Sequence, residues 1–211
     1  MKKVLSTLVC ILAFALTSQA QEIKFGLKGG ATFSNWNGKL LILDINGNSL
    51  TNFHGGLMVH LGLSDRFGIQ PELLYNTMGS NLSNTGVLSE LLNLSNLQGE
   101  VDFGLSYISL PIYAKLYAAE GFALMAGPQF NFKVDNQEDI SVQGISTALD
   151  IINFYNDVDF GLSFGAQYEA DFGLTVGANY YLGLSDVIDN PIISELRNSA
   201  FQVSVGWFLF P

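Results

Sequence analysis

Charged residues and cysteine are both scarce in this sequence. Charged residues make up 13% of its 211 residues, about half the usual share for a soluble domain, whereas hydrophobic residues make up 48%. The single cysteine, Cys10, has no second cysteine with which to form an intrachain disulfide. So little charge beside so many apolar residues indicates that a solvent other than water covers part of the surface.

Positive charge is especially scarce. Nine Lys and Arg stand against nineteen Asp and Glu, which gives a formal net charge of −10. Proteins that bind nucleic acid do so with clustered Lys and Arg, so this balance argues against nucleic acid as a partner. After the first 20 residues no stretch reaches 18 consecutive apolar residues, so no membrane-spanning helix is expected there.

The first 20 residues have the pattern of a secretory signal peptide. Lys2 and Lys3 precede the apolar run from Val4 to Leu16, and Ser18-Gln19-Ala20 offers a small-x-small cleavage site. The apolar run is shorter than the roughly 18–20 residues of a spanning helix. We therefore predict that residues 1–20 are removed and that residues 21–211 form one domain.

Apolar and polar residues alternate in eight segments, which predicts eight β-strands. In IKFGLKGGATFS, residues 23–34, Phe25 and Leu27 point to one side and Lys24 and Lys28 to the other. Most segments span about 10–14 residues, enough for a strand tilted about 40° across a bilayer. The eight segments are 23–34, 52–63, 67–79, 101–117, 121–134, 157–169, 172–185 and 200–210.

Short and long connections strictly alternate between these segments. Three turns of about three residues, at 64–66, 118–120 and 169–171, are interleaved with the long connections 35–51, 80–100, 135–156 and 186–199. This pattern predicts an all-β, eight-stranded antiparallel up-and-down barrel with all of its long loops at one end. If it spans a membrane, the turns are periplasmic and the loops extracellular.

The composition of the polar face decides between a soluble, lipocalin-like barrel and a membrane barrel. In segment 172–185 that face carries Gly173, Gly177 and Gly183, and glycine weakens a water-facing strand. Glycine fits the interior of an eight-stranded barrel, which is barely wide enough for side chains. The apolar face carries no charge, and aromatic residues such as Phe25, Tyr117 and Phe201 gather near both strand ends. We therefore predict a transmembrane barrel with its apolar side facing lipid.

Several stretches resemble the PorT-type outer-membrane β-barrel family of Bacteroidetes-like bacteria. They are FGLKGGATFSN, FGIQPELLYNTMGSN, LSYISLPIYAKLY, FALMAGPQFNF, DFGLSFGAQYE and the ending FQVSVGWFLF. The resemblance implies residence in the outer membrane among its lipids, and insertion by the barrel-assembly machinery through the aromatic last strand. Pro211 departs from that pattern, because such strands commonly end on the aromatic residue. The motifs are structural, so no functional residue is carried over.

Seven charged residues fall on the predicted lumen face, and buried charges must be paired. We expect Glu72 to pair with Lys115, and Lys133 with Asp157 or Asp159. This network is interpreted as a salt-bridged plug, and the alternative is a narrow route for a small solute or ion. The seven are Lys24, Lys28, Glu72, Lys115, Lys133, Asp157 and Asp159.

The sequence indicates neither an enzyme nor a metal or cofactor site. His54 and His60 lie on the same strand about 20 Å apart, too far to share a metal ion. Neither belongs to an HExxH or HxH motif, and no motif unites His54 with a serine and an acid.

The long loops are the remaining candidates for function. Apolar residues recur at near-helical spacing in VLSELLNLSNL (87–97) and ISTALDIINFY (145–155), and LLILDINGNS (40–49) carries an Asn-Gly turn signal for a hairpin. These loops either cap the barrel mouth or bind a protein partner at the cell surface. The candidate interaction residues are Leu91, Leu92, Ile152 and Phe154. We expect a scaffold or interaction role, and not a general porin.

Overall fold

A computed structural model of the protein describes residues 22–40, 43–46, 48–81, 99–142, 156–187 and 196–209. No helix among these residues is long and apolar enough to cross a membrane. They form nine β-strands: β1 (Ile23–Leu40), β2 (Leu43–Asn46), β3 (Asn48–Ser64), β4 (Phe67–Asn81), β5 (Gly99–Ala119), β6 (Phe122–Val142), β7 (Val158–Glu169), β8 (Leu174–Gly183) and β9 (Leu196–Phe208).

Eight of these strands close into an antiparallel barrel. Each strand from β3 to β9 pairs with its sequence neighbour, β1 pairs with β3, and β1 also pairs with β9 to close the sheet. The remaining strand, β2, pairs only with the C-terminal end of β1, from Asn37↔Asn46 to Leu40↔Leu43. The eight-stranded up-and-down topology is confirmed. The predicted hairpin in the first long connection also exists, but its reversal lies between Leu40 and Leu43 rather than at Asn46-Gly47.

The short turns all lie at one end of the barrel, together with both ends of the described chain. β3 and β4 meet at Ser64↔Phe67, and β5 and β6 meet at Ala119↔Phe122. Gly121 and Gly173 adopt positive φ angles of 69° and 96° in the second and third turns, a conformation that residues with a Cβ rarely adopt. Strand β1 begins and β9 ends at this same end.

The two faces of the sheet are inverted relative to a soluble protein. Phe53 is 77% exposed and Val205 55% exposed on the outside, whereas Lys115 and Gln70 are buried inside. This confirms that the apolar side faces outward and the polar side lines the lumen. Tyr117 was expected in the outer aromatic belt, and that expectation is wrong: its hydroxyl contacts His60 and Glu169 inside the barrel.

The expected crowding by lumen side chains explains only some of the glycines in the sheet. A Cβ on Gly30 or Gly127 would lie 1.9 Å from a backbone oxygen of the adjacent strand, and one on Gly56 would lie 2.0 Å away. Only some positions fit the expectation of crowding by lumen side chains, such as Gly68, where a Cβ would lie 2.4 Å from the His60 ring. The glycines therefore allow close approach of neighbouring backbones as well as lumen packing.

Candidate functional site in the barrel lumen

The centre of the lumen holds a buried ion pair between Lys28 of β1 and Glu72 of β4. The Lys28 Nζ donates to both carboxylate oxygens of Glu72, at 3.0 and 2.8 Å. Both side chains are almost fully buried, 4% and 0% exposed. The expected pairing of Glu72 with Lys115 is therefore wrong, because Lys28 reaches Glu72 across the lumen, past the intervening strand β3.

Lys115 of β5 forms the second buried ion pair, with Glu169 at the end of β7. Its Nζ also donates to Gln70 Oε1 at 2.9 Å. On the other carboxylate oxygen, Glu169 accepts a hydrogen bond from the Tyr117 hydroxyl at 3.1 Å, and this hydroxyl lies 3.3 Å from His60 Nε2. Glu169 was missing from the predicted charge set, although its position in the alternation of β7 places it on the same face as Asp159.

Two glutamines join the two ion pairs into one network. Gln70 Nε2 donates to Glu72 Oε1 at 2.7 Å and to Gln167 Oε1 at 3.2 Å, and Gln167 Nε2 donates to Glu169 Oε1 at 3.1 Å. Two lysines and two glutamates therefore balance one another in a continuous set of hydrogen bonds. Chemically, this arrangement is a network of charge-assisted hydrogen bonds between two lysines and two glutamates.

His54 is held in a separate layer of neutral groups. The Thr32 hydroxyl donates its proton to Asn76 Oδ1 at 2.9 Å. The same hydroxyl lies 2.9 Å from His54 Nδ1, and because its proton is already used, Nδ1 is the donor of this second contact. His54 Nε2 lies 3.0 Å from the Ser204 hydroxyl, within hydrogen-bond distance. These contacts engage both ring nitrogens of His54 inside the barrel.

The remaining predicted lumen charges lie toward the two ends of the barrel. Lys133 pairs with Asp157 at 3.4 Å, as expected, and Asp157 is 90% exposed at the long-loop end. At the short-turn end, Lys24 pairs with Glu22 at 3.2 Å. Asp159 is buried, and its carboxylate accepts hydrogen bonds from Ser185, Asn131 and Asn198.

The described lumen differs at its two ends. At the long-loop end, buried side chains pack into one mainly apolar cluster: Trp36, Met78, Leu105, Tyr107, Tyr181, Val187, Leu196 and Ala200. At the short-turn end, a cavity of about 330 Å³ opens beside His60, Tyr117 and Glu169. Within the described residues, a cavity thus opens at the short-turn end, and mainly apolar side chains pack together at the long-loop end.

The loop residues that the sequence singled out cannot be placed in this site. Leu91, Leu92, Ile152 and Phe154 lie outside the described residues. The surface they were expected to form stays a prediction.

Comparison with solved structures supports the membrane fold. Neisserial surface protein A aligns with a TM-score of 0.53 and 11% identity over 87% of this chain and 96% of its own. Ail, the attachment invasion locus protein of Yersinia pestis, aligns at 0.48 and 11% identity, over 89% and 99%. At such identities the likeness concerns the fold alone.

Comparison at the level of sequence gives the family. No curated protein sequence matches the chain. The family model for the outer membrane protein beta-barrel domain matches residues 18–189, most of the chain. The closed barrel, its apolar outer face and its polar lumen are the features that such a domain requires. The chain therefore belongs to the outer membrane protein beta-barrel domain family and resides in the bacterial outer membrane.

Proposed function

We propose that this barrel is a scaffold that presents an interaction surface outside the outer membrane and does not act as a general porin. The observation that carries the proposal is the unequal extension of the strands. β5 and β6 have 21 residues each, whereas β8 has 10. The additional pairing lies at the long-loop end, which faces the cell exterior in outer-membrane barrels.

The β5–β6 ladder continues well past the lipid-facing part of the barrel. On β6 the outward apolar series begins at Phe122, 39% exposed, and extends to Val134, 53% exposed. Beyond Val134 the pairing with β5 continues to Gly99↔Val142. At about 3.3 Å per residue, the eight residues from 135 to 142 add roughly 26 Å of ribbon. A ribbon of this length supports a role outside the bilayer.

The sequence of this ribbon favours a positively charged partner. Residues 99–106 and 135–142, which pair in this ribbon, contain no Lys or Arg. A field of one sign attracts partners of the opposite sign and repels others. The acids of the ribbon are Glu100, Asp102, Asp135, Glu138 and Asp139.

The alternative, a narrow route through the lumen, has less support. The Lys28–Glu72 and Lys115–Glu169 pairs are joined by hydrogen bonds across the centre of the lumen. A solute would have to break these bonds and leave buried charges unpaired, which is costly. We therefore place function in the loops and the ribbon.

Four narrower inferences accompany this proposal. We propose that residues 1–20 are a cleaved signal peptide and that the barrel-assembly machinery recognises the last strand. We also propose that the chain belongs with the PorT-type barrels of Bacteroidetes. Finally, we propose that the chain has no enzymatic activity; the engagement of both His54 nitrogens by Thr32 and Ser204 supports this.

Site-specific crosslinking on intact cells tests the scaffold role. A photoreactive residue at Gln137 in the ribbon should capture a partner protein, and one at Asp65 in the opposite turn should not. Replacing Leu91, Leu92, Ile152 and Phe154 together by Ser should abolish capture while heat-modifiable migration shows that the barrel still folds. Recovery of the barrel alone, together with selective solute flux that Lys115→Ala changes, would contradict the proposal.

A further inference from the structure

Three neighbouring ladders of the barrel wall lack residue pairs side by side. Between β3 and β4 the register passes from Met58↔Glu72 to Leu61↔Ile69 without a shift, so two pairs are missing. The β4–β5 and β5–β6 ladders each lack two pairs in the same way. The β7–β8 and β8–β9 ladders, in contrast, are continuous. The missing pairs are Val59–Pro71, His60–Gln70, Glu72–Pro111, Leu73–Leu110, Ile112–Pro128 and Tyr113–Gly127.

Each gap contains one proline that explains it. Pro71, Pro111 and Pro128 stand on the consecutive strands β4, β5 and β6. Proline has no backbone N–H, so it cannot donate to a ladder, and it is normally confined to edge strands and bulges. Here all three prolines stand in strands with a neighbour on both sides. The carbonyls opposite them, which lose their ladder donor, belong to Val59, Glu72 and Ile112.

The gaps lie in the hydrocarbon layer, where no water replaces a missing backbone bond. Pro128 is midway between Phe122 and Val134, the two ends of the outward apolar series on β6. Pro71 pairs with Ile112, which in turn lies opposite Pro128, so the gaps cross the middle of the wall. Backbone hydrogen bonds therefore hold this region least. We call it the proline wall, and it consists of residues 59–60, 70–73, 110–113 and 127–128.

Lumen side chains hold the proline wall from the inside. Inward residues of the wall bond to strands that lie outside it, β1 on one side and β7 on the other. The bond to β1 is charged and fully buried, and the bonds to β7 are neutral. These contacts are Glu72 with Lys28 of β1 at 2.8 Å, Gln70 with Gln167 of β7 at 3.2 Å, and Tyr113 with Ser163 of β7 at 2.9 Å.

We propose that the proline wall is a conformational device that opens locally while the rest of the barrel stays folded, and that the Lys28–Glu72 pair holds it closed. Opening breaks few backbone bonds, because the prolines have already removed the donors at this level. The continuous ladders from β7 through β9 to β1 keep the opposite side of the barrel closed. The proposal does not depend on the scaffold role of the loops.

Amide hydrogen exchange, measured by NMR on the folded barrel in detergent micelles, tests the local opening. The amides opposite the prolines, those of Val59, Glu72 and Ile112, are compared with those of Ala178 and Val203, which form a pair in the continuous β8–β9 ladder. We expect the first set to exchange about tenfold faster, as the loss of one or two hydrogen bonds predicts. Equal protection of the two sets would refute the proposal.

Two variants test how the wall is held. Lys28→Met should speed exchange at the three wall amides by at least about tenfold and leave Ala178 and Val203 unchanged, because it removes the charged brace but no backbone bond. Lys24→Met is the control and should change neither set. Pro128→Val restores the missing N–H, so exchange at Ile112 should slow and the urea midpoint should rise. A Lys28→Met variant that speeds both sets equally, or a Pro128→Val variant without effect, would overturn the proposal.

Discussion

Replacing Lys28 with Met tests the central ion pair of the lumen. The substitution keeps a long side chain in place but removes the ammonium group whose two hydrogen bonds, at 3.0 and 2.8 Å, neutralise Glu72. Glu72 stays fully buried, with Gln70 as its remaining donor. Removing one partner of a buried ion pair costs about 3 to 5 kcal/mol, because the other charge is left uncompensated. We expect the free energy of unfolding to fall by this amount.

The double variant Lys28→Met/Glu72→Met separates loss of the pair from loss of packing. It removes both charges and leaves Gln70 bonded to Gln167 at 3.2 Å. Replacing a buried ion pair by apolar groups of similar size is often nearly neutral, so most of the lost stability should return. Lys24→Met is the matched control. Its pair with Glu22 is partly exposed, at 20% and 63%, and should contribute less than about 1 kcal/mol.

The assay is urea unfolding in lipid vesicles, with the folded fraction read from heat-modifiable migration and the free energy obtained by linear extrapolation. A Lys28→Met variant that loses less than about 1 kcal/mol would refute the argument. So would a double variant as unstable as the single one. Either result would mean that Glu72 is neutralised by another group.

Three further predictions concern the sheet, the lipid face and the lumen. Gly30→Ala should lower the folded fraction, since its Cβ would lie 1.9 Å from a backbone oxygen of β9. Gly29→Ala should fold normally in the same urea titration, since its Cβ would lie 3.6 Å from the backbone oxygen of His54 on β3. Val205→Arg, in the middle of the lipid face, should cost about 2–4 kcal/mol and Leu63→Arg, near the short turns, about 0–1; a reversed order would contradict the assigned orientation. In planar bilayers the barrel should show no steady conductance of nanosiemens size, and such a conductance would rule out a filled lumen.

The strand order and the inverted faces could be predicted because both depend on local sequence. Alternation in IKFGLKGGATFS assigns Phe25 to one face and Lys28 to the other whatever the partner strands are. The spacing of the turns then leaves an up-and-down order as the simplest topology. These features are all confirmed by the closed sheet.

The pairing of lumen charges could not be predicted in the same way. Sequence reasoning matched Glu72 with Lys115 because their strands are adjacent. In the structure, Lys28 and Glu72 meet across β3, and Lys115 and Glu169 meet across β6. Long side chains in a narrow lumen contact the residues at the same position along the barrel axis. That position depends on strand tilt and register, which alternation alone does not specify.

The pairing of β1 with β9 determines when the barrel can be completed. Thirteen residue pairs join these strands, from Gly26↔Phe208 to Gly38↔Leu196. The sheet therefore cannot close until the last strand has been synthesised. Until then both edges of the sheet remain open and able to pair with other chains. Folding dominated by such distant contacts is slow, and the unfinished chain must be shielded during that interval. Because the paired ends are adjacent, a circularly permuted chain with these ends joined and a short turn opened should complete the same barrel with a different last strand.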